Sequence, residues 1–125
     1  MKLTSQEFTI IVADALDNLP PLIVENMQNI EVLVEDWPSQ AALQRVGISP
    51  GSTLLGLYTG IPLTRRTTGY GNVAPDTITL YQGPIERVSG YNLDKIRKQV
   101  MHTIIHEFAH HFGISDERLI ELGAY

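Results

Sequence analysis

No cysteine occurs anywhere in the 125 residues, which excludes both disulfides and thiolate-ligated metal sites and fits a cytosolic setting. Long apolar runs are missing too: no stretch approaches the ~20 residues that a membrane-spanning helix needs. The amino terminus, Met1 to Glu7, lacks the apolar run and small-residue cleavage site of a signal peptide. There is no basic stripe; Arg65-Arg66 is a dense cationic pair, but no long run of positive charge accompanies it. With a formal net charge of −5, this argues against nucleic acid or an anionic membrane as the main partner. Internal repeats and low-complexity segments are absent as well. What remains is an ordinary globular composition, 43% hydrophobic and 18% charged, long enough for one core and short for two. The expectation is a single cytoplasmic domain over residues 1–125, made at its working length.

The hydrophobic pattern divides that domain into elements. Thr4 and Glu7 have the spacing of a capping box, and Phe8, Ile11, Val12, Ala15, Leu16 and Leu19 follow on one helical face. This predicts a scaffold helix from Ser5 to Asn18, ended by Pro20-Pro21, with a short helical turn between Leu22 and Met27. Ile30, Val32 and Val34 alternate with Glu31, Leu33 and Glu35, as in a strand with one face more polar. Ser39 can cap a short helix over Gln40 to Val46, ended by Gly47. Leu54 to Tyr58 reads as a strand, Thr59-Gly60 as a tight turn, and Ile61 to Arg66 as the returning hairpin partner. Arg66 to Asn72 has the composition of a surface loop. Asp76 to Tyr81 alternates as a further strand, which Gly83-Pro84 would end. The helical period returns from Asn92 to Phe112, with Leu93, Ile96, Val100, Ile104, Phe108 and Phe112 as its apolar stripe. Ser115 then caps a short helix from Asp116 to Leu122. The fold class is α+β: a mixed sheet of three to four strands packed with an N-terminal helix, a long helix and a short C-terminal one.

The long helix carries His106-Glu107-Phe108-Ala109-His110 in its second half. Four residues apart, His106 and His110 lie on nearly the same side, about one turn (~6 Å) of rise from each other. Two imidazoles at that separation can grip one tetrahedral zinc ion. Glu107 is rotated by about 100°, so it misses the metal and points towards a water beside it, where a general base is needed. Gly113 can end the helix in a left-handed turn, reversing the chain so that Asp116 returns as a third ligand. A chance match to the five-residue pattern at this composition is on the order of one in a hundred, and the added Gly113 and Asp116 lower it to roughly three in a hundred thousand. A core helix with hydrogen-bonded, metal-free histidines has no use for those last two positions.

His106-Glu107-x-x-His110-x-x-Gly113-x-x-Asp116 resembles the extended zinc motif of zincin metallopeptidases with Asp as third ligand. Val34 to Pro38, Leu54 to Leu63, Asp76 to Tyr81 and His110 to Leu119 resemble the small bacterial zincin-like metallopeptidase family, over roughly residues 5 to 123. The resemblance implies a minimal zincin fold, zinc bound by His106, His110 and Asp116, Glu107 as the base, and hydrolysis of peptide bonds in a peptide or protein substrate. Asp116 stands where metzincins have a third His, no Met follows to floor the metal, and little chain is left for a substrate-binding subdomain. The alternative from another class is a catalytically weak or inactive zinc-binding domain serving as a binding or regulatory module.

Other residues are weaker candidates. Tyr58, Tyr70, Tyr81, Tyr91, Tyr125, Arg65 and Arg66 could each supply an oxyanion donor, and the residues do not choose among them. Thr77 to Tyr81 could border the cleft and accept an extended peptide by backbone pairing. Glu35, Asp36 and Trp37 read as a solvated strand end rather than a cleft rim. His102 lies a turn too far for the same tetrahedron, and His111 stacks over Glu107 at i, i+4; both read as neighbours of the site rather than ligands.

Overall fold

Thr4 starts the first helix as its spacing demands. Its hydroxyl accepts from the Glu7 amide at 3.1 Å and its own amide donates to Glu7 Oε1 at 2.9 Å, so two end donors are satisfied reciprocally. A computed structural model describes residues 2–45, 54–60 and 75–121 of the chain, without the side chains of Arg45 and Asp116. In it α1 (Ser5–Asp17) buries Phe8, Ile11, Val12 and Ala15. Next come α2 (Pro21–Glu25), opened by a proline where no amide partner is lost, β1 (Ile30–Glu35), and α3 (Gln40–Arg45). The Ser39 hydroxyl accepts from the Ala42 amide at the start of α3.

β2 (Gly56–Thr59) and β3 (Asp76–Tyr81) complete a mixed three-stranded sheet ordered β1-β3-β2. β2 begins two residues after the expected Leu54. Its expected hairpin partner, Ile61 to Arg66, and the loop Arg66 to Asn72 lie outside the described residues, as do Val46 and Gly47. β1 pairs with β3 in parallel from Ile30 opposite Asp76 to Glu35 opposite Tyr81, while β2 pairs antiparallel from Gly56 opposite Leu80 to Thr59 opposite Thr77. This corrects the reading of Thr77 to Tyr81 as a strand open to an added peptide. β3 is the central strand, and its backbone groups are taken by neighbours on both sides. Alternation reports which face of a strand is buried, here that of Ile78 and Leu80, and carries no information on whether the strand lies at an edge.

The strand ends at Tyr81 as read, and Gly83-Pro84 lie inside a helix that the sequence pattern does not announce, α4 (Gln82–Val88). Pro84 falls in the first turn, where amides have no intrahelical acceptor. Gly83 sits against Trp37, and a Cβ there would come within 2.2 Å of Trp37 Cε2. The indole of Trp37, at the end of β1, thus covers α4 on the sheet edge away from β2, as its reading as a strand end required. Buried Gln82 and Glu86 of α4 fasten the amino terminus: Gln82 Nε2 donates to the Leu3 carbonyl and to Glu86 Oε1, and the Leu3 amide donates to Glu86 Oε2.

α5 (Leu93–His111) is capped by Asn92, whose Oδ1 accepts from the Lys95 amide, and it buries Ile96, Val100, Ile104 and Phe108 completely or nearly so. The ends of the expected stripe, Leu93 and Phe112, are 43% and 47% exposed. From Ile96 onwards the stripe repeats every fourth position and drifts about 40° per step around a helix of 3.6 residues per turn, so it has rotated off the core by Phe112, whereas Leu93 is exposed as the first residue of the helix. α5 packs on β2 and β3, and α1, α4 and α6 (Asp116–Glu121) pack on α5. Ser115 caps α6 by accepting from the Arg118 amide, and Leu119 of α6 is fully buried. Among the described residues no helix is long and apolar enough to cross a membrane.

Candidate active site

His106, Glu107 and His110 lie on the last two turns of α5. The imidazoles of His106 and His110 face each other, ring centres 5.1 Å apart and planes 23° from parallel. His106 is half-buried and His110 exposed, and Phe108 and Ala109 between them are buried in the core. The motif therefore straddles the helix: its apolar members anchor α5, and its polar members face outwards.

Glu107 is half-buried, and its position is fixed from the sheet. The backbone amide of Tyr58, in β2, donates to Glu107 Oε1 at 3.1 Å. Burial pushes the Glu107 carboxyl above the ordinary carboxylate range; the Tyr58 N–H and the electrostatic influence of His106 and His110 pull against that rise. A base raised in this way takes a proton more readily than a solvated glutamate.

α5 approaches β2 this closely because Gly56 has no side chain. A Cβ at Gly56 would lie 2.7 Å from Thr103 Cγ2, 3.2 Å from the Thr79 carbonyl oxygen and 3.4 Å from Glu107 Cγ. Thr103 is β-branched and stiff about χ1, so it cannot move aside cheaply. Gly56→Ala is expected to cost about 1–3 kcal/mol in urea unfolding, and Thr103→Ser, which removes the offending methyl, should recover much of that loss.

Beyond Glu107 the sheet supplies a polar cluster. The Tyr58 hydroxyl donates to Asp76 Oδ2 at 2.6 Å, and His111 Nε2 lies 3.9 Å from the same oxygen. The His111 ring stacks on Tyr58 at 3.8 Å, with planes 11° apart. His111 is therefore a neighbour of the site, held by Tyr58 and Asp76 rather than over Glu107. His102, one turn before His106, stacks on it at 5.9 Å. Both lie outside the pair of facing imidazoles, as their spacing implied. Of the oxyanion candidates, Tyr58 has its hydroxyl on Asp76, Tyr81 is buried and Tyr91 stands exposed before α5. Tyr70, Tyr125, Arg65 and Arg66 lie outside the described residues. Sequence reasoning missed Asp76 and the Tyr58 amide. A lone acid opening a strand carries no signal, and a backbone amide has none at all.

The helix ends as its glycine requires. Gly113 has φ +72°; the Ile114 amide donates to the Ala109 carbonyl at 2.8 Å and the Gly113 amide to the His110 carbonyl at 3.4 Å. These two bonds close α5 and reverse the chain. The backbone of Asp116 then opens α6, but its side chain, the expected third ligand, lies outside the described residues. Among the described residues no group of three His, Cys, Asp or Glu side chains is gathered to hold a metal. The two candidate ligands that are described, His106 and His110, suit zinc in kind. They are imidazoles at one-turn spacing, His106 lines a groove of about 430 Å³ together with Gly56, Thr103 and Glu107, and in a chain without cysteine the ligands on offer are nitrogen and oxygen. An open, catalytic site has that donor set, whereas structural zinc usually draws on Cys.

Among solved structures, a conserved hypothetical protein from Thermus thermophilus shares the fold, with TM-score 0.56 and 24% identity over 88% of this chain and 94% of that one. No curated protein matches the chain. The family model for zincin-like metallopeptidases matches residues 27–124, a span that takes in the whole sheet, α5 with His106 and His110, and the reversal after it, and the chain belongs to that family.

Proposed function

We propose that this chain is a zinc-dependent metallopeptidase acting on peptide or protein substrates in the cytoplasm. The observation that carries the reading is the half-buried Glu107, fixed by the Tyr58 amide at 3.1 Å beside the paired imidazoles of His106 and His110. In this reading His106, His110 and Asp116 hold the zinc. When bound, zinc polarises a scissile carbonyl and acidifies water. Glu107, with Oε1 engaged by Tyr58, takes the water proton on Oε2 and passes it to the leaving amine. The half-buried setting keeps bulk water from screening that transfer. The groove beside His106 and Glu107 receives the substrate.

A second reading is a zinc-binding module without turnover. It is favoured by one observation: the hydroxyl of Tyr58, the tyrosine whose amide meets Glu107, is committed to Asp76. Metal removal tests both. Chelated protein should lose peptide hydrolysis and recover it at one zinc per chain by elemental analysis, and His106→Ala and His110→Ala should each bind zinc at least 100-fold more weakly in calorimetry. One bound zinc without hydrolysis of any peptide in a diverse library supports the second reading. Purified protein that neither contains zinc nor is stabilised by it overturns both.

A further inference from the structure

The groove at the candidate site does not stop at His102. Beyond the compartment walled by His106 and Glu107, a second of about 400 Å³ opens between Val88, Ser89, Lys95 and Lys98. Gln99 and His102 line both, so the two adjoin along one face of α5. The chemistry changes between them. Although the chain carries a net charge of −5, the described residues of the second compartment's wall include two exposed ammonium groups and no carboxylate. Ion pairs among the described residues join Arg97 to Asp94 and Arg118 to Glu121, and His111 lies 3.9 Å from Asp76; Lys95 and Lys98 enter none of these contacts. Ser89 adds an independent mark. It is 5% exposed, and its hydroxyl is buried with no hydrogen-bond partner among the described residues, a condition that folded proteins rarely leave unmet.

The geometry points to a subsite for a carboxylate of the peptide substrate, held by Lys95 and Lys98 three to five residues from the bond that is cut. This rests on the peptidase reading, since the metal ligands define where that bond lies. Along α5, Lys98 is roughly 12 Å and Lys95 roughly 16 Å from His106 at about 1.5 Å per residue. An extended peptide covers that distance at about 3.3 Å per residue. The carboxylate can belong to an Asp or Glu side chain or to the peptide's own carboxyl terminus, and the chemistry recognised is the same.

The test uses decapeptides of alternating Ala and Ser in which one Glu, or one Gln in the control set, is walked from end to end, each with a free or an amidated carboxyl terminus. Binding is measured by calorimetry on zinc-loaded full-length protein carrying Glu107→Gln, and cleavage is mapped by mass spectrometry on the wild type. Glu peptides, or free-terminus peptides, should bind about three- to tenfold more tightly than their Gln or amidated counterparts, as expected for exposed charge pairs. That ratio should fall to near one in Lys95→Gln/Lys98→Gln and drop below one in Lys95→Glu/Lys98→Glu. A preference that follows Glu identifies a side-chain carboxylate, and one that follows the free terminus identifies the chain end; either supports the inference. Equal binding of acidic and neutral peptides overturns it, as does a preference that survives the double Gln substitution. Discrimination in binding without cleavage by the wild type would sink the peptidase reading and leave the carboxylate site standing. Cleavage without discrimination would do the reverse.

Discussion

Glu107→Gln should abolish peptide hydrolysis while the protein keeps its fold and its zinc. The substitution preserves the size of the side chain and an Oε1 able to accept from the Tyr58 amide, so the 3.1 Å link between α5 and β2 survives. What it removes is the capacity to take a proton. General-base contributions run to about 10²–10⁴-fold, and a drop of that size in kcat, with zinc stoichiometry still at one per chain, is the expected pair of measurements. Because burial already opposes ionisation of Glu107, replacing the carboxylate with a neutral amide should leave the metal-free protein at least as stable at neutral pH. A purely structural glutamate would give a different pair of results, with lower stability and little change in rate. Hydrolysis within a few-fold of the wild type would eliminate Glu107 as the base.

Phe108→Ala should be the most damaging single change to the fold near the site. Phe108 is 1% exposed and belongs to the core cluster with Ile104, Ile78 and Leu80; its ring also meets Phe112 at 4.5 Å. Truncating a buried phenylalanine costs about 3–5 kcal/mol through lost transfer energy and the cavity left behind. Whole domains are stable by only about 5–15 kcal/mol, so the thermal midpoint should fall by roughly 10–20 °C. Phe108→Leu, which refills most of the volume, should lose much less. Saturating zinc stabilises any form able to bind it, by about 4 kcal/mol at a thousandfold excess over Kd. It should therefore raise the midpoint of Phe108→Ala without restoring it to that of zinc-loaded wild type. A metal-free midpoint unchanged by Phe108→Ala would contradict the packing of α5 on the core.

How far the chain announces this architecture depends on the range of each interaction. The capping box of Thr4 and Glu7, the Ser115 cap and the left-handed Gly113 all operate within a few residues, and each is read directly from the local sequence. The bounds of β3 and the imidazole pair at i, i+4 are legible for the same reason. The helix over Gln82 to Val88 is not, because Gly83-Pro84 looks like a stop until Trp37 arrives from far upstream to pack on the glycine. Pattern alone cannot tell the centre of a sheet from its edge, so Thr77 to Tyr81 reads as open to a peptide until its two neighbours are placed. The amide that positions Glu107 is backbone, common to nearly every residue, and only the pairing of β2 with β3 brings it to α5.

The link between Tyr58 and Glu107 spans 49 positions of sequence, whereas His106 and His110 are separated by a single turn of α5. The parts of the site thus differ in contact order. One helical turn suffices to present both imidazoles, and a short turn closed by Gly113 leads on to Asp116. Aligning the base requires the sheet to be assembled and docked. Local openings that detach β2 from α5 would leave the imidazole pair intact while releasing the carboxylate, so in the proposed peptidase the capacity to hold metal and the capacity to turn over substrate would be set by different portions of the folding free energy.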